Sequence, residues 1–149
     1  MSVNKDVIIS IYGLQEAEGL EQSNITLVTQ GKYARRGGRY YVSYEESELT
    51  GLSGTRTTLS IDDQAVVVKR SGLYPSQMIF EKGKRHNSLY HTEYGDLIVG
   101  LSTEQIRSTL GDNGGSLDVR YAVEIDHSLA GTNHLKLDIR PAEGPDFAL

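Results

Sequence analysis

The sequence predicts an all-β fold, an antiparallel up-and-down meander of roughly eight to ten strands curled into a barrel. Three observations predict it. Apolar and polar residues alternate with a period of two along most of the chain, as strands with one buried and one wet face require. Glycine and aspartate turn signals recur at short intervals. The connections are too short to cross the sheet, so each strand pairs with the next, and a sheet of this size curls and closes its edges.

The strands are expected, in order, near 5–14, 23–36, 39–49, 54–61, 64–71, 76–82, 84–93, 96–109, 115–127 and 132–140. The first contains the apolar run Val7 to Tyr12, and the second ends at the turn signal Gly37-Gly38. The third puts Tyr40, Val42 and Tyr44 on one face. Gly51 to Gly54 turn the chain into the fourth, where Arg56 lies opposite the Leu59 and Ile61 face. Asp62-Asp63 lead into the fifth, with Val66 and Val68 on one face. Gly72 ends it, and Lys82-Gly83-Lys84 separate the sixth from the seventh. After Gly95-Asp96 the eighth shows Leu97, Val99 and Leu101 in alternation. Its second half, Ser102 to Leu110, also carries a capping-box pattern in Ser102 and Gln105 that suits a helical turn; a strand is the preferred reading. Gly111 to Gly115 lead into the clearest strand, with Leu117, Val119, Tyr121, Val123 and Ile125 on one face. The last strand repeats the pattern in Leu135, Leu137 and Ile139. Glycine, asparagine and aspartate tolerate the positive φ that tight hairpins need. Residues 141–149 read as an irregular tail.

A chain of 149 residues fits one domain, 1–149, with a single core. Hydrophobic residues make up 38%, and 16 glycines fill part of the deficit, which suits a turn-rich β protein. The net charge of −5 repels phosphate backbones and argues against nucleic-acid partners. The absence of cysteine removes disulfides, thiolate metal sites and thiol catalysis. The N-terminus has no long apolar run, and Asp6 comes early, so neither a signal peptide nor a membrane span is expected and the location reads as cytoplasmic.

Continuing the apolar phase of the third strand past Tyr44 puts Glu46 and Glu48 inside the barrel. Continuing the fifth past Val68 puts Arg70 there as well. A buried carboxylate needs a cation or several donors, so Arg70 is its natural partner, with Tyr90 and Thr92 of the seventh strand adding hydroxyls. These five residues are the candidate ligand-binding set. Two other readings fit the same pattern: a structural ion pair, or a bulge that returns the glutamates to water. Carboxylates on one strand face about 7 Å apart do not flank a scissile bond as glycosidase pairs do. His86, His91, His127 and His134 show no ligand spacing, so no metal is expected. Gly51 to Thr57 lacks the Lys-Ser/Thr ending of a phosphate loop. The basic, aromatic stretch Gly31 to Tyr41 reads as a hairpin with solvated arginines and an inward Tyr40, not as a base-stacking surface.

The run Glu46 to Thr57, with Arg70-Ser71-Gly72, Met78 to Glu81, Gly83, Tyr90-His91-Thr92 and Gly95, resembles the YwiB-like family of small bacterial proteins of unknown function. The resemblance spans roughly Val7 to Arg140. It implies a calycin-like barrel, akin to lipocalins and fatty-acid-binding proteins, and no activity. The chain departs from those better-known relatives. It has no Trp and so lacks the lipocalin Gly-x-Trp signature. Arg120 and Tyr121 are adjacent instead of two apart, and Gln15 to Ser23 is too short for a two-helix lid.

The expected function is non-enzymatic binding of a small molecule inside the barrel, with no cofactor, because no nucleophile, base and orienter fall in register. The alternative is an interaction module, possible as a homodimer, using Tyr12, Tyr33, Tyr74 and Tyr94 as exposed aromatic area.

Overall fold

The computed structural model describes residues 4–16, 23–47, 53–72, 75–92 and 95–142, and of residues 14–16, 23–25 and 90–92 the backbone only. The strands are β1 (Lys5–Glu16), β2 (Ser23–Arg36), β3 (Arg39–Glu45), β4 (Thr55–Ile61), β5 (Ala65–Gly72), β6 (Ser76–Glu81), β7 (Arg85–Thr92), β8 (Gly95–Ser108), β9 (Gly115–Ile125) and β10 (Ser128–Pro141). No helix occurs among the described residues. The alternating pattern therefore does what it predicts, and the stretch after Ser102 is strand through Ser108. Pro141, expected to open an irregular tail, belongs instead to β10, and the Ala142 amide bonds to the Asp6 carbonyl at 2.9 Å. Residues 143–149 lie outside the described set.

All ten strands form one antiparallel sheet in the order β6-β5-β4-β3-β2-β1-β10-β9-β8-β7. The first and last strands pair over their length, from Val7 opposite Pro141 to Glu16 opposite Thr132. That pairing closes the meander into a nearly complete barrel. The one seam lies between β6 and β7, where sequential pairing predicts an ordinary hairpin. The backbone of their connection bonds elsewhere: Lys82 N to Gln64 O at 2.8 Å, Gly83 N to Thr103 O at 2.9 Å, and Thr103 N to Lys84 O at 3.2 Å. Side chains bridge the seam instead. His86 Nε2 contacts Glu81 Oε1 at 2.8 Å, and Ser88 Oγ donates to the Gln77 carbonyl at 3.1 Å.

β8 carries a bulge between Thr103 and Gln105. An extra residue shifts the side-chain phase, so the buried positions change from Leu101 and Thr103 to Ile106. Gly31 marks a close approach. A Cβ there would sit 2.4 Å from the Ser43 carbonyl oxygen and 2.5 Å from Ile9 Cδ1, so only glycine lets β2 cross this point.

The two ends of the barrel differ. Connections 37–38, 62–64, 82–84 and 109–114, the start of β1 and the end of β10 meet at one end. That half is packed with apolar side chains, among them Val7, Ile9, Val42, Ile61, Val66, Leu117 and Ile139. Tyr33 is buried there, 1% exposed, and its hydroxyl donates to the Gly111 carbonyl at 2.7 Å. The expectation that Tyr33 offers exposed aromatic surface is thus wrong: it lies opposite Val42 in the register and shares its inward face. Tyr12 is exposed, while Tyr74 and Tyr94 fall outside the described residues.

Candidate functional site

At the other end, where β3 turns into β4 and β5 into β6, the inward face changes from apolar to polar. On β3 the phase set by Val42 and Tyr44 runs on to Glu46, although the strand ends at Glu45. The Glu46 amide still bonds to the Thr55 carbonyl at 2.8 Å, which holds the residue in phase and its side chain inside. That side chain is 2% exposed, and its Oε1 accepts a 2.6 Å hydrogen bond from Thr57 Oγ1. On β4 the inward positions Leu59 and Ile61 continue as Thr57 and Thr55, both fully buried. On β5 Arg70 stands directly opposite Thr57 in the register. Its Nε lies 4.0 Å from Glu46 Oε1, near enough for charge attraction but beyond a hydrogen bond.

A second polar wall faces this one from β8, β9 and β10. Thr103 pairs with Tyr121, and Tyr121 with Asn133. Asn133 Nδ2 donates to the Tyr121 hydroxyl at 3.1 Å, and the Tyr121 ring packs edge-on against Phe80 with centroids 4.6 Å apart. Burial raises the Tyr121 phenol above its usual range, opposed by the Asn133 hydrogen bond and the positive charge of Arg70. Arg70 therefore faces both walls. Tyr44 is pushed up to about 12, first by burial and then by the neighbouring Glu46 charge, so it stays protonated at neutral pH.

Four buried polar atoms on these walls have no hydrogen-bond partner among the described residues: Thr55 Oγ1, Arg70 Nε, Thr103 Oγ1 and Asn133 Oδ1. Buried polar groups are normally bonded, and each one left unmade costs about 1–3 kcal/mol.

Of the five expected residues, the structure brings Glu46 and Arg70 together inside the barrel. Glu48 lies outside the described residues. Tyr90 and Thr92 are placed in β7 by their backbone pairing with Leu97 and Gly95, and their side chains are not described. The β4 threonines, Tyr44, Thr103, Tyr121 and Asn133 were missed. Thr57 and Thr55 were readable, since they share the phase of Leu59 and Ile61. Asn133 was not, because nothing local marks it as the partner of Tyr121. Two of the histidines sit in carboxylate pairs at the surface: His86 with Glu81, and His134 with Asp118 at 2.6 Å. The Glu81 carboxyl is held below its usual range, mainly by the His86 hydrogen bond.

Fold and site together define a class: a nearly closed, ten-stranded antiparallel β-barrel with one apolar end and one polar end. A family model described as a domain of unknown function (DUF1934) matches residues 9–137, and the chain belongs to that family. It is 25% identical over 125 residues to the uncharacterized beta-barrel protein YwiB of Bacillus subtilis (strain 168), covering 84% of this chain and 86% of that one. The crystal structure of that organism's ywiB protein superposes with a TM-score of 0.79 at 21% identity, covering 94% of each chain. That likeness bears on the fold.

Proposed function

We infer that this protein binds a small molecule at the polar end of its barrel and performs no chemistry on it. One observation carries the reading: unpartnered buried polar atoms from two opposite walls face the same interior. Barrel mouths of this kind, with apolar sides and a few convergent polar groups, are where small ligands bind. Glu46 and Arg70 act as anchors, with Glu48, Tyr90 and Thr92 as the further members the sequence suggests. A calycin-like ancestry and a cytoplasmic location fit the same reading. No helix among the described residues is long and apolar enough to cross a membrane.

Shift mapping of the labelled protein against a library of small fragments tests the proposal. Fragments that move the backbone amides of Thr55, Arg70, Thr103 and Tyr121 support it. A library that moves only outward positions such as Lys32 and Arg56, or none, overturns it.

A second reading rests on Val28 and Tyr12, which are exposed on neighbouring strands of the outer face. That apolar area suits self-association. Native mass spectrometry showing only monomer rejects this alternative.

A further inference from the structure

We propose that the barrel consists of two leaves hinged at its apolar end, which open and close the polar end like a pair of jaws. The proposal goes beyond ligand binding and stands on strand pairing and chain connectivity.

The first leaf is β3 to β6. The second is β7 to β10 together with β1 and β2. Two junctions separate the leaves, and both are unzipped toward the polar end. Among the described residues β6 and β7 share no ladder. The β2–β3 ladder runs from Arg36 opposite Arg39 to Lys32 opposite Ser43 and goes no further. Beyond it Gly31 and Gln30 stay paired with Val7 and Ile8 of β1, while Tyr44 and Glu45 stay paired with Thr57 and Arg56 of β4. A hollow of about 270 Å³ marks the parting, lined in part by Gln30, Gly31, Tyr44 and Glu45.

The chain connections follow the same division. Those that pass from one leaf to the other, 37–38 and 82–84, are both at the apolar end. Every hairpin at the polar end joins strands of a single leaf. The interior polar contacts divide likewise, Glu46 with Thr57 and Arg70 in the first leaf, Asn133 with Tyr121 in the second.

Each junction has a pivot. At Gly31 the backbones of β2 and β3 touch, since a Cβ there would overlap the Ser43 carbonyl. At the other junction the 82–84 turn bonds to both leaves, Lys82 N to Gln64 O and Gly83 N to Thr103 O. The apolar core joins the leaves at this end, with Val42 and Ile61 from the first and Val7, Leu117 and Ile139 from the second.

Closed jaws leave two buried polar atoms unbonded on each leaf, Thr55 Oγ1 and Arg70 Nε on one, Thr103 Oγ1 and Asn133 Oδ1 on the other. Opening hydrates them and gives up the seam contacts of His86 with Glu81 and Ser88 with Gln77. Gain and loss are then of the same kind, a few hydrogen bonds each, as a hinge between two populated states requires.

The chain has no cysteine, so paired spin labels can be placed on otherwise native protein. One pair, Lys69→Cys with Thr132→Cys, spans the leaves beside Arg70 and Asn133. The other, Gln64→Cys with Arg140→Cys, spans them at the apolar end. All these positions are exposed. Electron–electron distance measurement should give one narrow distance for the apolar pair. The polar pair should show a second, longer by more than about 2 Å. Adding His86→Ala and Ser88→Ala should raise the ratio of long to short distances by about threefold or more. Amides inside the leaf ladders, such as Thr57 and Val119, should stay protected from hydrogen exchange in that variant, because a hinge breaks no ladder. The proposal is overturned by a single polar-end distance in native protein and seam variant alike, by equal spread at the two ends, by a ratio that the seam substitutions leave unmoved, or by lost ladder protection, which would mean local unfolding. No ligand enters these measurements, so their outcome is separate from that of the fragment mapping.

Discussion

Replacing Arg70 by leucine tests the polar interior directly. In the native barrel the Arg70 guanidinium lies 4.0 Å from a carboxylate that is 2% exposed. At an effective dielectric near 20, unit charges at that separation attract by about 4 kcal/mol. The side chain of Arg70 is 25% exposed and makes no hydrogen bond through Nε, so solvent screens part of this. The expected loss is about 2–3 kcal/mol, slightly below the usual cost of breaking a fully buried pair. Thr57 and Tyr44 remain beside the Glu46 carboxylate but supply no positive charge. Arg56→Leu is the control. Arg56 Nε pairs with Glu45 at 2.8 Å, yet both side chains are more than half exposed, so its loss should cost about 0.5 kcal/mol or less. Urea unfolding of both variants at neutral pH makes the comparison. Equal, small losses for the two would refute the buried-pair argument.

Three further outcomes follow from the geometry. Gly31→Ala should cost about 1–3 kcal/mol in thermal unfolding, because its Cβ would overlap the Ser43 carbonyl, while Gly13→Ala, with nothing within 4 Å, should be mild. Phe80→Ala should cost about 3–5 kcal/mol, since the ring is 1% exposed and packs on Tyr121; a near-neutral result would mean the core there is loosely packed. The Asp62 carboxylate accepts the amides of Gln64 and Ala65, both at 2.8 Å, and its pKa is lowered chiefly by the Gln64 bond. Asp62→Ala should therefore lose about 1–2 kcal/mol at neutral pH. That gap should close as pH falls through the depressed native pKa of Asp62; a gap independent of pH would show that the carboxylate's charge plays no part.

Much of the fold was legible because one face of nearly every strand is buried, and burial writes itself into the sequence as alternation. Val42, Tyr44 and Glu46 show the strength of that signal: the phase predicts an inward carboxylate even past the strand end, and the Glu46 amide bond to Thr55 keeps it there. Two features were not legible. The bulge at β8 changes the phase between Thr103 and Ile106, and a local pattern cannot separate a bulge from a helical start. The seam between β6 and β7 depends on where the backbone of Lys82 and Gly83 finds partners, at Gln64 just before β5 and at Thr103 in β8, far along the chain. The second wall of the site was hidden for the same reason. Tyr121 and Asn133 meet through strand register, which no local motif encodes.

The central claim is that the polar end of the barrel holds a small molecule. A high-resolution crystal structure of the protein purified from its own host tests it most directly. The account predicts non-protein density within hydrogen-bond distance of Arg70 Nε, Thr55 Oγ1 and Thr103 Oγ1, more extended than isolated waters. Those atoms bonded instead to side chains of residues 48–52, 73–74 or 93–94, with the space between the walls filled by protein, would contradict it.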